Sequence, residues 1–272
     1  MSSGPPLPFW SRHGHEDRAM NTFDLSGKTA LVTGSSRGLG RTFAEALAAA
    51  GAHVVLNGLD AARLEQTRKE MIEQCYDVSA AAFDVSDEAA VRAAFERLDA
   101  EGRTPDILVN NAGIQLRRPM LELSAADWQR VLDTNLTSAF LCGREAASRM
   151  IAKGGGKIIN IGSLMSDLAR VTVAPYTVAK GGVKMLTRSM AAEWAGSNIQ
   201  ANAIGPGYMM TDMTRPLQED QDFDSWVRGR TPAGRWGKPE ELQGAVVFLA
   251  SSASDFVNGQ ILYIDGGMTA VL

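Results

Sequence analysis

The sequence predicts an α/β fold in which one doubly wound parallel sheet of about seven strands carries helices on both faces. Short β-branched apolar runs alternate with longer helical patterns after residue 27, as they do in chains of βαβ units. Runs such as 29–32 and 107–109 are apolar without alternation, as burial on both faces of a strand requires. Because no repeat or linker follows residue 27, we expect a single domain over residues 21–272.

Each apolar run predicts a strand, and each longer segment between two runs predicts the helix that crosses over to the next strand. In chain order, we expect strands near 28–33, 52–57, 79–83, 106–110, 156–162, 199–204 and 260–264. The helices are expected near 38–50, 61–74, 87–100, 124–152, 174–195, 210–228 and 239–250. Right-handed crossovers bring the loops that follow the strands to one edge of the sheet, where we expect the functional site.

The composition argues against several classes of partner. The net charge of -4 and the sequence pI of about 5.5 give no overall basic field, so we expect neither nucleic acid nor an anionic membrane as a partner. No apolar run approaches the roughly 20 residues that span a bilayer. Cys75 and Cys142 form no CxxC, which predicts neither a disulfide framework nor a zinc site and fits a reducing cytoplasm.

The first 20 residues differ in composition from the rest of the chain. They are rich in proline, glycine and charge, and their start lacks the charged and apolar regions of a signal peptide. We interpret residues 1–20 as a disordered N-terminal extension, a cloning remnant or a misassigned start, with translation beginning at Met20.

A glycine-rich turn closes the first predicted strand and opens the first predicted helix. Residues 33–40 read Thr-Gly-Ser-Ser-Arg-Gly-Leu-Gly, which is a GxxxGxG spacing. The glycines allow a close approach of backbone to a pyrophosphate, and the helix N-terminus supplies N–H donors. A purely structural turn is the alternative. The strand, turn, helix and second strand together favour a Rossmann-type dinucleotide-binding site.

The end of the second strand bears on the choice of cofactor. An acid there would bind a ribose 2′-OH and favour NAD(H), whereas a basic residue would suit the phosphate of NADP(H). The tip reads Asn57, Gly58 and Leu59, and Asp60 is at least as well explained as the N-cap of the next helix. Arg37 beside the phosphate loop, unless it is an exposed arginine without a ligand, makes NADP(H) slightly preferred over NAD(H).

Tyr176 and Lys180 lie four residues apart on a predicted helix, so both project from one face. Lowering a tyrosine pKa from about 10 by about three units takes roughly 4 kcal/mol. One ammonium about 4 Å away supplies that order of energy at an effective dielectric of about 20. Tyr176 would then take a proton from an alcohol or return it to a ketone. The alternative is a surface tyrosine beside a solvated lysine.

The order of motifs along the chain is more specific than any one of them. After the phosphate loop come Asn110-Asn111-Ala112-Gly113, then Asn135, Ser163, Tyr176 and Lys180. Over residues 25–272 this arrangement resembles the short-chain dehydrogenase/reductase family. The resemblance implies hydride transfer between a nicotinamide dinucleotide and an alcohol or ketone, in a protein that assembles as a homotetramer through the helices 124–152 and 174–195.

The same resemblance implies roles for individual residues. Ser163 polarises the substrate oxygen, and Tyr176 acts as acid or base. Lys180 binds the ribose and lowers the Tyr176 pKa, while Asn135 holds a water of the proton relay. The implied cofactor contacts are Gly34, Ser36, Arg37, Gly38, Leu39, Gly40, Asn57, Asp84, Val85, Asn111, Ala112, Gly113, Tyr176, Lys180, Pro206, Gly207 and Thr211.

Structural alternatives stay open for three of these positions: Asn135 braces a helix, Asp84 caps one, and Pro206-Gly207 forms a turn. Family members of similar pattern often carry an acid or an arginine after the second strand, where this chain has Gly58 and Leu59. The cofactor choice is therefore the least determined part of the resemblance.

Two arginines follow the fourth strand, in the segment 113–119 that reads GIQLRRP. A guanidinium grips a carboxylate through two hydrogen bonds, so we expect Arg117 to anchor the substrate, with Ser163 and Tyr176 as further substrate contacts. A solvated loop charge is the alternative for either arginine.

Several stretches resemble one branch of the family. The segment 113–119, with 166–170, 230–237 and 255–259, is similar to the branch that interconverts gluconate and 5-ketogluconate. Leu116 stands where that branch often has an arginine, so a shifted binding mode is expected. Relatives acting on 2-keto-3-deoxygluconate are an alternative, and reductases of acyl-carrier-protein ketones are a weaker one.

Other classes of function fit the sequence less well. A serine hydrolase needs a base for its nucleophile, but the only histidine of the folded body is His53, and residues 161–165 lack GxSxG. The sequence has no clustered His, Cys or acidic residues that predict a metal site. A dinucleotide-binding regulatory protein without turnover is the non-enzyme alternative, and the presence of Ser163, Tyr176 and Lys180 argues against it.

Overall fold

Seven short strands form one fully parallel sheet in the computed structural model, which describes residues 22–272. The proposed extension at residues 1–20 lies outside the described residues. The order across the sheet is β3-β2-β1-β4-β5-β6-β7, which confirms the predicted doubly wound, single-sheet fold. The strands are β1 (Thr29–Val32), β2 (His53–Gly58), β3 (Val78–Ala82), β4 (Ile107–Asn110), β5 (Gly156–Ile161), β6 (Ile199–Pro206) and β7 (Ile261–Ile264).

Helices cover both faces of this sheet. In the described residues they are α1 (Gly38–Ala49), α2 (Ala61–Glu73), α3 (Glu88–Ala100), α4 (Ala125–Leu132), α5 (Ser138–Lys153), α6 (Ala174–Trp194), α7 (Arg215–Gln218), α8 (Gln221–Arg230) and α9 (Gln243–Ala250). One buried cluster joins the sheet to α1, α2 and α9, and a second joins it to α3, α5 and α6. No helix among residues 22–272 combines the length and apolarity that crossing a membrane would take.

The central strands are buried on both sides, as their unbroken apolar sequences predict. In β1, Ala30 and Val32 belong to the cluster with α1, whereas Leu31 belongs to the cluster with α3. All three side chains are 0% exposed. The two-residue period of a strand thus divides one apolar run between two cores.

The predicted helix 124–152 is interrupted. It consists of α4, a π-helical turn over Asp133–Thr137 and α5. This wider turn contains Asn135, whose amide leaves the helix to bind the backbone of Ile114 through both its oxygen and its nitrogen. Single π turns of this kind are frequent at functional sites.

The predicted helix 210–228 is wrong as a single element. The hydroxyl of Thr214 accepts a hydrogen bond from the backbone N–H of Thr211 at 3.0 Å and donates one to the carbonyl oxygen of Met209 at 2.6 Å, which holds this segment in a bend. Only the short α7 follows. Asp220 then caps α8 by accepting from Asp222 N and Phe223 N, so a new helix begins there.

The strand order changes direction at the boundary between β1 and β4: β2 and β3 are added on one side of β1, and β4 to β7 on the other. β1 pairs with β2 on one side and with β4 on the other. The loops that follow β1 and β4 are therefore neighbours, and Thr33 N donates to the carbonyl oxygen of Val109 at 3.0 Å. Folds of this class bind ligands at such a switch point, outside the carboxyl ends of the strands.

Candidate active site

The turn after β1 has glycine where a side chain would collide with backbone. Gly34 has a φ of +62°, and a Cβ built on it would lie 2.9 Å from the Cα of Ala112. At Gly40, in the first turn of α1, a Cβ would lie 2.3 Å from the carbonyl oxygen of Gly34 and 2.4 Å from Nδ2 of Asn111. Neither position accepts a side chain without displacement of its neighbours.

Asn57 holds this turn against the end of β2. Its Oδ1 accepts a hydrogen bond from Gly34 N at 3.2 Å, and its Nδ2 donates to the carbonyl oxygens of Ala81 and Phe83, each at 3.1 Å. The side chain is 1% exposed. Asn57 therefore shapes the turn that a cofactor would contact.

A second set of hydrogen bonds ties the same turn to the loop after β4. The Thr33 hydroxyl accepts from Asn111 N at 2.9 Å and from Ala112 N at 3.0 Å. In return, Nδ2 of Asn111 donates to the carbonyl oxygens of Thr33 at 2.9 Å and Gly34 at 3.0 Å. The two loops at the switch point thus form one rigid unit.

This unit fits the pyrophosphate of a dinucleotide. No side chain caps the N-terminus of α1, so the N–H groups of its first turn remain available to an anion. A Cβ at Gly38, which has a φ of +56°, would meet nothing within 4 Å, and the space beside the loop is open there. Arg37 is exposed, and its side chain has no partner within residues 22–272.

The remaining predicted cofactor contacts lie along the same edge with mixed exposure. Leu39 packs against the core and Val85 is buried, so chiefly their backbones can face a ligand. Oδ1 of Asp84 accepts from the backbone N–H and hydroxyl of Ser86, whereas α3 is capped by Asp87. The helix-cap alternative for Asp84 is therefore wrong.

The adenosine end of the cradle offers no acidic side chain at the tip of β2. Asp60 accepts a hydrogen bond from Arg63 N at 3.0 Å as the N-cap of α2, as the structural interpretation of that residue predicts. Leu59 is 72% exposed, and the Cβ position of Gly58 lies 3.4 Å from the hydroxyl of Ser36.

Tyr176 and Lys180 lie one turn apart on α6 and meet Ser163, which follows β5. Nζ of Lys180 lies 5.6 Å from the centroid of the Tyr176 ring and donates to the carbonyl oxygen of Ile161 at 2.6 Å. Within the described residues this is the one hydrogen bond of that ammonium, so two of its three N–H groups can reach a ligand. Ser163 lies close enough to the Tyr176 phenol to affect its pKa.

The electrostatics of this trio differ from the sequence-based expectation. Burial raises the pKa of the Tyr176 phenol above its ordinary value, against the opposing effect of the neighbouring Ser163 hydroxyl. Burial also lowers the pKa of Lys180 to about 8. Loss of hydration dominates both groups, and Lys180 is not among the causes of the Tyr176 shift, so the expectation that Lys180 lowers the Tyr176 pKa stays a prediction. A phenol that keeps its proton at neutral pH is a proton donor.

Asn135 braces the loop that enters the site. Its Oδ1 accepts from Ile114 N at 2.7 Å and its Nδ2 donates to the Ile114 carbonyl oxygen at 2.9 Å. Its side chain is 2% exposed, and the Cβ position of Gly113 lies 3.4 Å from its oxygen. These contacts match the bracing interpretation, and the role of holding a water stays a prediction.

An open cleft of about 540 Å³ brings together residues from the segments that follow β4, β5 and β6, and from α6. Ser163, Tyr176 and Arg117 line it, with Pro206 and Gly207 at the end of β6. Gly207 lies so close to Asp265 that a Cβ built on Gly207 would be 2.6 Å from the Cα of Asp265. Thr211, the third residue predicted on this side, is hydrogen-bonded to Thr214, which lines the cleft.

Three arginines that the sequence offers as substrate anchors, Arg117, Arg118 and Arg235, differ in what they contact. Arg117 lines the cleft and makes a long hydrogen bond of 3.4 Å to the carbonyl oxygen of Met213. Arg118 points instead to Asp127, at 2.9 Å. Arg235 pairs with Glu241 at 2.7 Å and lines a neighbouring cavity. Of these three, only Arg117 faces the substrate cleft.

Sequence reasoning missed several residues of this site. Ser166 accepts from Ser163 N at 3.2 Å and donates to the Lys180 carbonyl oxygen at 2.9 Å, which ties the two catalytic segments together. Gln115 lines the cleft, and its buried Oε1 has no hydrogen-bond partner. Arg170 lines the cleft too. None belongs to a motif with a known spacing, although all three lie in the stretches used for the resemblance, 113–119 and 166–170.

Comparisons with known proteins agree with this geometry. Residues 34–269 match the family model described as Enoyl-(Acyl carrier protein) reductase. The gluconate 5-dehydrogenase of Gluconobacter oxydans is 49% identical over 92% of this chain and 98% of that protein. The 2-dehydro-3-deoxy-D-gluconate 5-dehydrogenase of Formosa agariphila is 45% identical over 93% of this chain and 97% of that protein.

A solved structure agrees as well. The crystal structure of a gluconate 5-dehydrogenase from Burkholderia cenocepacia, in complex with NADP and tartrate, has a TM-score of 0.90 and 47% identity. The match covers 92% of this chain and 98% of that chain. The family model, the relatives and the shared fold lead to one conclusion: the chain belongs to the short-chain dehydrogenase/reductase family of oxidoreductases, enzymes acting on CH–OH groups.

Proposed function

We propose that the protein interconverts D-gluconate and 5-keto-D-gluconate with a nicotinamide dinucleotide, NADP(H) being slightly preferred over NAD(H). The observation that carries this proposal is one cleft in which Ser163 and Tyr176 share the walls with Arg117, a guanidinium without a carboxylate partner in the described residues. A reacting CH–OH or C=O group would lie at the first two residues and a carboxylate at the third.

The residues of the chain divide the chemistry between them. A bound dinucleotide would supply or accept the hydride. During ketone reduction Tyr176 would donate its phenolic proton to the substrate oxygen, which Ser163 polarises by a hydrogen bond. Lys180, held by the Ile161 carbonyl, would bind ribose hydroxyls and stabilise the phenolate that results. In alcohol oxidation the same proton travels in reverse.

The slight preference for NADP(H) rests on the end of β2 and on Arg37. Asp60 is engaged as a helix cap, and the tip of β2 carries no other acid to repel a 2′-phosphate. Arg37 is exposed beside Ser36 and unpaired within residues 22–272. The related Burkholderia protein binds NADP.

Two other substrate classes deserve comparison with gluconate. A 2-keto-3-deoxygluconate substrate has the same carboxylate and is favoured by the relative from Formosa agariphila. A long thioester, suggested by the description of the family model, offers no carboxylate to Arg117. A regulatory protein that binds the dinucleotide without turnover would have no need of the assembled trio.

We also propose that residues 21–272 form the catalytic domain of a cytoplasmic homotetramer. Exposed apolar side chains on α5 and α6 support the assembly, among them Phe140, Val178 and Met185, which are 43%, 48% and 56% exposed. The unpaired Cys75 and Cys142 fit a reducing compartment.

The proposal is tested by following absorbance at 340 nm with gluconate, 5-ketogluconate and 2-keto-3-deoxygluconate, each paired with both cofactors. We expect the highest kcat/KM for 5-ketogluconate with NADPH. A higher kcat/KM for 2-keto-3-deoxygluconate would make that acid the substrate instead of 5-ketogluconate. Binding of NADPH without turnover of any sugar acid would favour the regulatory alternative.

A further inference from the structure

Two guanidinium groups, rather than one, face the substrate cleft without an acidic partner in the described residues. Arg117 comes from the loop after β4, and Arg170 comes from the segment between β5 and α6. Neither forms an ion pair within residues 22–272, whereas the neighbouring Arg118, Arg215 and Arg228 each pair with an aspartate.

The two charges are close enough to repel each other. Partial burial lowers the pKa of Arg117, and Arg170 lowers it further because two like charges share the cleft. The phenol of Tyr208 acts in the opposite direction. Two like charges share the cleft without an acidic partner in the described residues, and an anion bound between them would relieve their repulsion.

Arg170 is held in place by the far wall of the cleft. Its Cζ lies 4.9 Å from the centroid of the Phe223 ring, on α8, and its guanidinium lies close enough to the phenol of Tyr208, just after β6, to lower the pKa of that phenol. Contact with a ring consumes none of the five N–H donors of a guanidinium. The remaining donors can therefore bind a ligand while the ring and the phenol fix the group.

We propose that Arg170 is a second carboxylate-binding residue, which with Arg117 forms a split clamp around the acid group of the substrate. This inference rests on the proposed function and deepens it, since it defines the substrates as carboxylates read from two loops. A single flexible arginine would bind the acid in several orientations. A second guanidinium, held on the opposite wall, limits the acid to the orientation that presents the reacting carbon to Tyr176.

The test uses Arg170→Gln, which removes the charge, and Arg170→Lys, which keeps it. Arg118→Gln is the matched control, because it removes one charge from an adjacent loop arginine that is already paired. Each full-length variant is assayed with 5-ketogluconate and with L-sorbose, a neutral ketohexose. Tartrate binding to the NADP-loaded protein is measured by calorimetry.

We expect Arg170→Gln to raise KM for 5-ketogluconate and Kd for tartrate about tenfold or more, with partial recovery in Arg170→Lys. The ratio kcat/KM for L-sorbose should stay within about twofold, as should all values for Arg118→Gln. Unchanged KM and tartrate Kd in Arg170→Gln, or equal losses for the acid and for L-sorbose, would overturn the clamp.

The outcomes separate this inference from the proposed function. If the wild-type protein reduces no sugar acid but binds tartrate, and Arg170→Gln weakens that binding, the proposed substrate is wrong and the clamp stands. If it reduces 5-ketogluconate and Arg170→Gln has no effect, the clamp is wrong and the function stands. Tyr208→Phe removes the phenol oxygen beside Arg170 and keeps the ring, so a rise in tartrate Kd smaller than that of Arg170→Gln supports the proposal, and no rise contradicts it.

Discussion

The two halves of the carboxyl edge of the sheet are built on opposite principles. In the cofactor half, Asn57, Thr33 and Asn111 bind their neighbours so fully that the loops after β1 and β4 become one unit. In the substrate half, Arg117 has only a long bond to a carbonyl oxygen, and the buried Oε1 of Gln115 has no partner. A rigid cradle suits an invariant ligand, whereas unpaired groups reserve their interactions for a substrate.

The largest effect is expected from a substitution that impairs the chemistry in the substrate half and leaves the cofactor half unchanged. Tyr176→Phe removes the phenolic proton donor while leaving the glycine turn and its hydrogen bonds intact. We expect turnover to fall by about 10²- to 10⁴-fold, with the Kd for NADPH almost unchanged. Steady-state kinetics and fluorescence titration of NADPH check this. Turnover that survives the substitution would show that the phenol does not carry the proton.

The next largest effect is expected from removing Arg117, the proposed anchor of the substrate carboxylate. Arg117→Ala should raise KM for a carboxylated substrate about 10- to 100-fold, because charge-assisted hydrogen bonds to the acid are lost. Arg118→Ala, whose arginine already pairs with Asp127, is the control and should leave KM near the wild-type value. An unaltered KM in Arg117→Ala alone would move the anchor to another side chain.

A substitution in the cofactor half should weaken binding of the dinucleotide and the stability of the turn. Gly40→Ala places a methyl group against the Gly34 carbonyl, at a starting distance of 2.3 Å. We expect the free energy of unfolding to fall by about 1–3 kcal/mol and the Kd for NADPH to rise about tenfold. Gly244→Ala, where a Cβ meets nothing within 4 Å, is the matched control. Equal behaviour of the two variants would mean that the turn is compliant.

Lys180 joins the two halves, and its titration provides a pH test. Its pKa is lowered to about 8 by burial, so the ammonium loses its proton as the pH rises through about 8. The ratio kcat/KM for the dinucleotide, which reports the free enzyme, should therefore decline above pH 8 by about fivefold. Lys180→Arg keeps its charge, so its profile should lack that limb. A wild-type profile flat to pH 9.5 would contradict the assignment.

The same titration affects stability with a definite sign. Because the unfolded lysine binds its proton more tightly, with a pKa near 10.5 against about 8 in the fold, the unfolded state carries more protons between those values. The contribution of Lys180 to the free energy of unfolding therefore rises with pH across that window, and the charged lysine is a cost to folding at neutral pH. Lys180→Met should lack this pH dependence.

The smallest expected effect concerns Arg37. Arg37→Ala should raise KM for NADPH about threefold and leave KM for NADH unchanged, because an exposed guanidinium contributes little beyond attraction to a 2′-phosphate. Arg63→Ala, an arginine on α2, is the control. Equal changes for both cofactors would remove the basis for preferring NADP(H).

Local signals predicted what local interactions determine. The central strands were predictable because their apolar runs are buried on both faces, and the edge strands because short runs alternate with helical segments. Tyr176 and Lys180 were predictable because a four-residue spacing on a helix needs no tertiary information. The glycine turn was predictable for the same reason. Its collision distances, by contrast, depend on Ala112 and Asn111, which lie far along the chain.

The features that sequence reasoning missed depend on distant partners. Arg170 faces the cleft because Phe223 and Tyr208 hold it, and nothing in its own neighbourhood indicates that contact. The segment 210–228 has helical composition, yet Thr214 bonds locally to Thr211 and Asp220 starts a new helix. Desolvation raises the pKa of Tyr176, opposite to the direction expected from the sequence, since desolvation depends on the whole surrounding structure.

The π turn at Asp133–Thr137 makes chain length itself a design constraint. Excising one residue there would let α4 and α5 merge into a regular α-helix, and one residue of α-helix corresponds to a rotation of about 100°. Either α5 would turn Cys142 and Met150 out of the core, or Asn135 would swing away from Ile114. Protein engineers who shorten or graft this segment should therefore conserve its residue count before its residue identities.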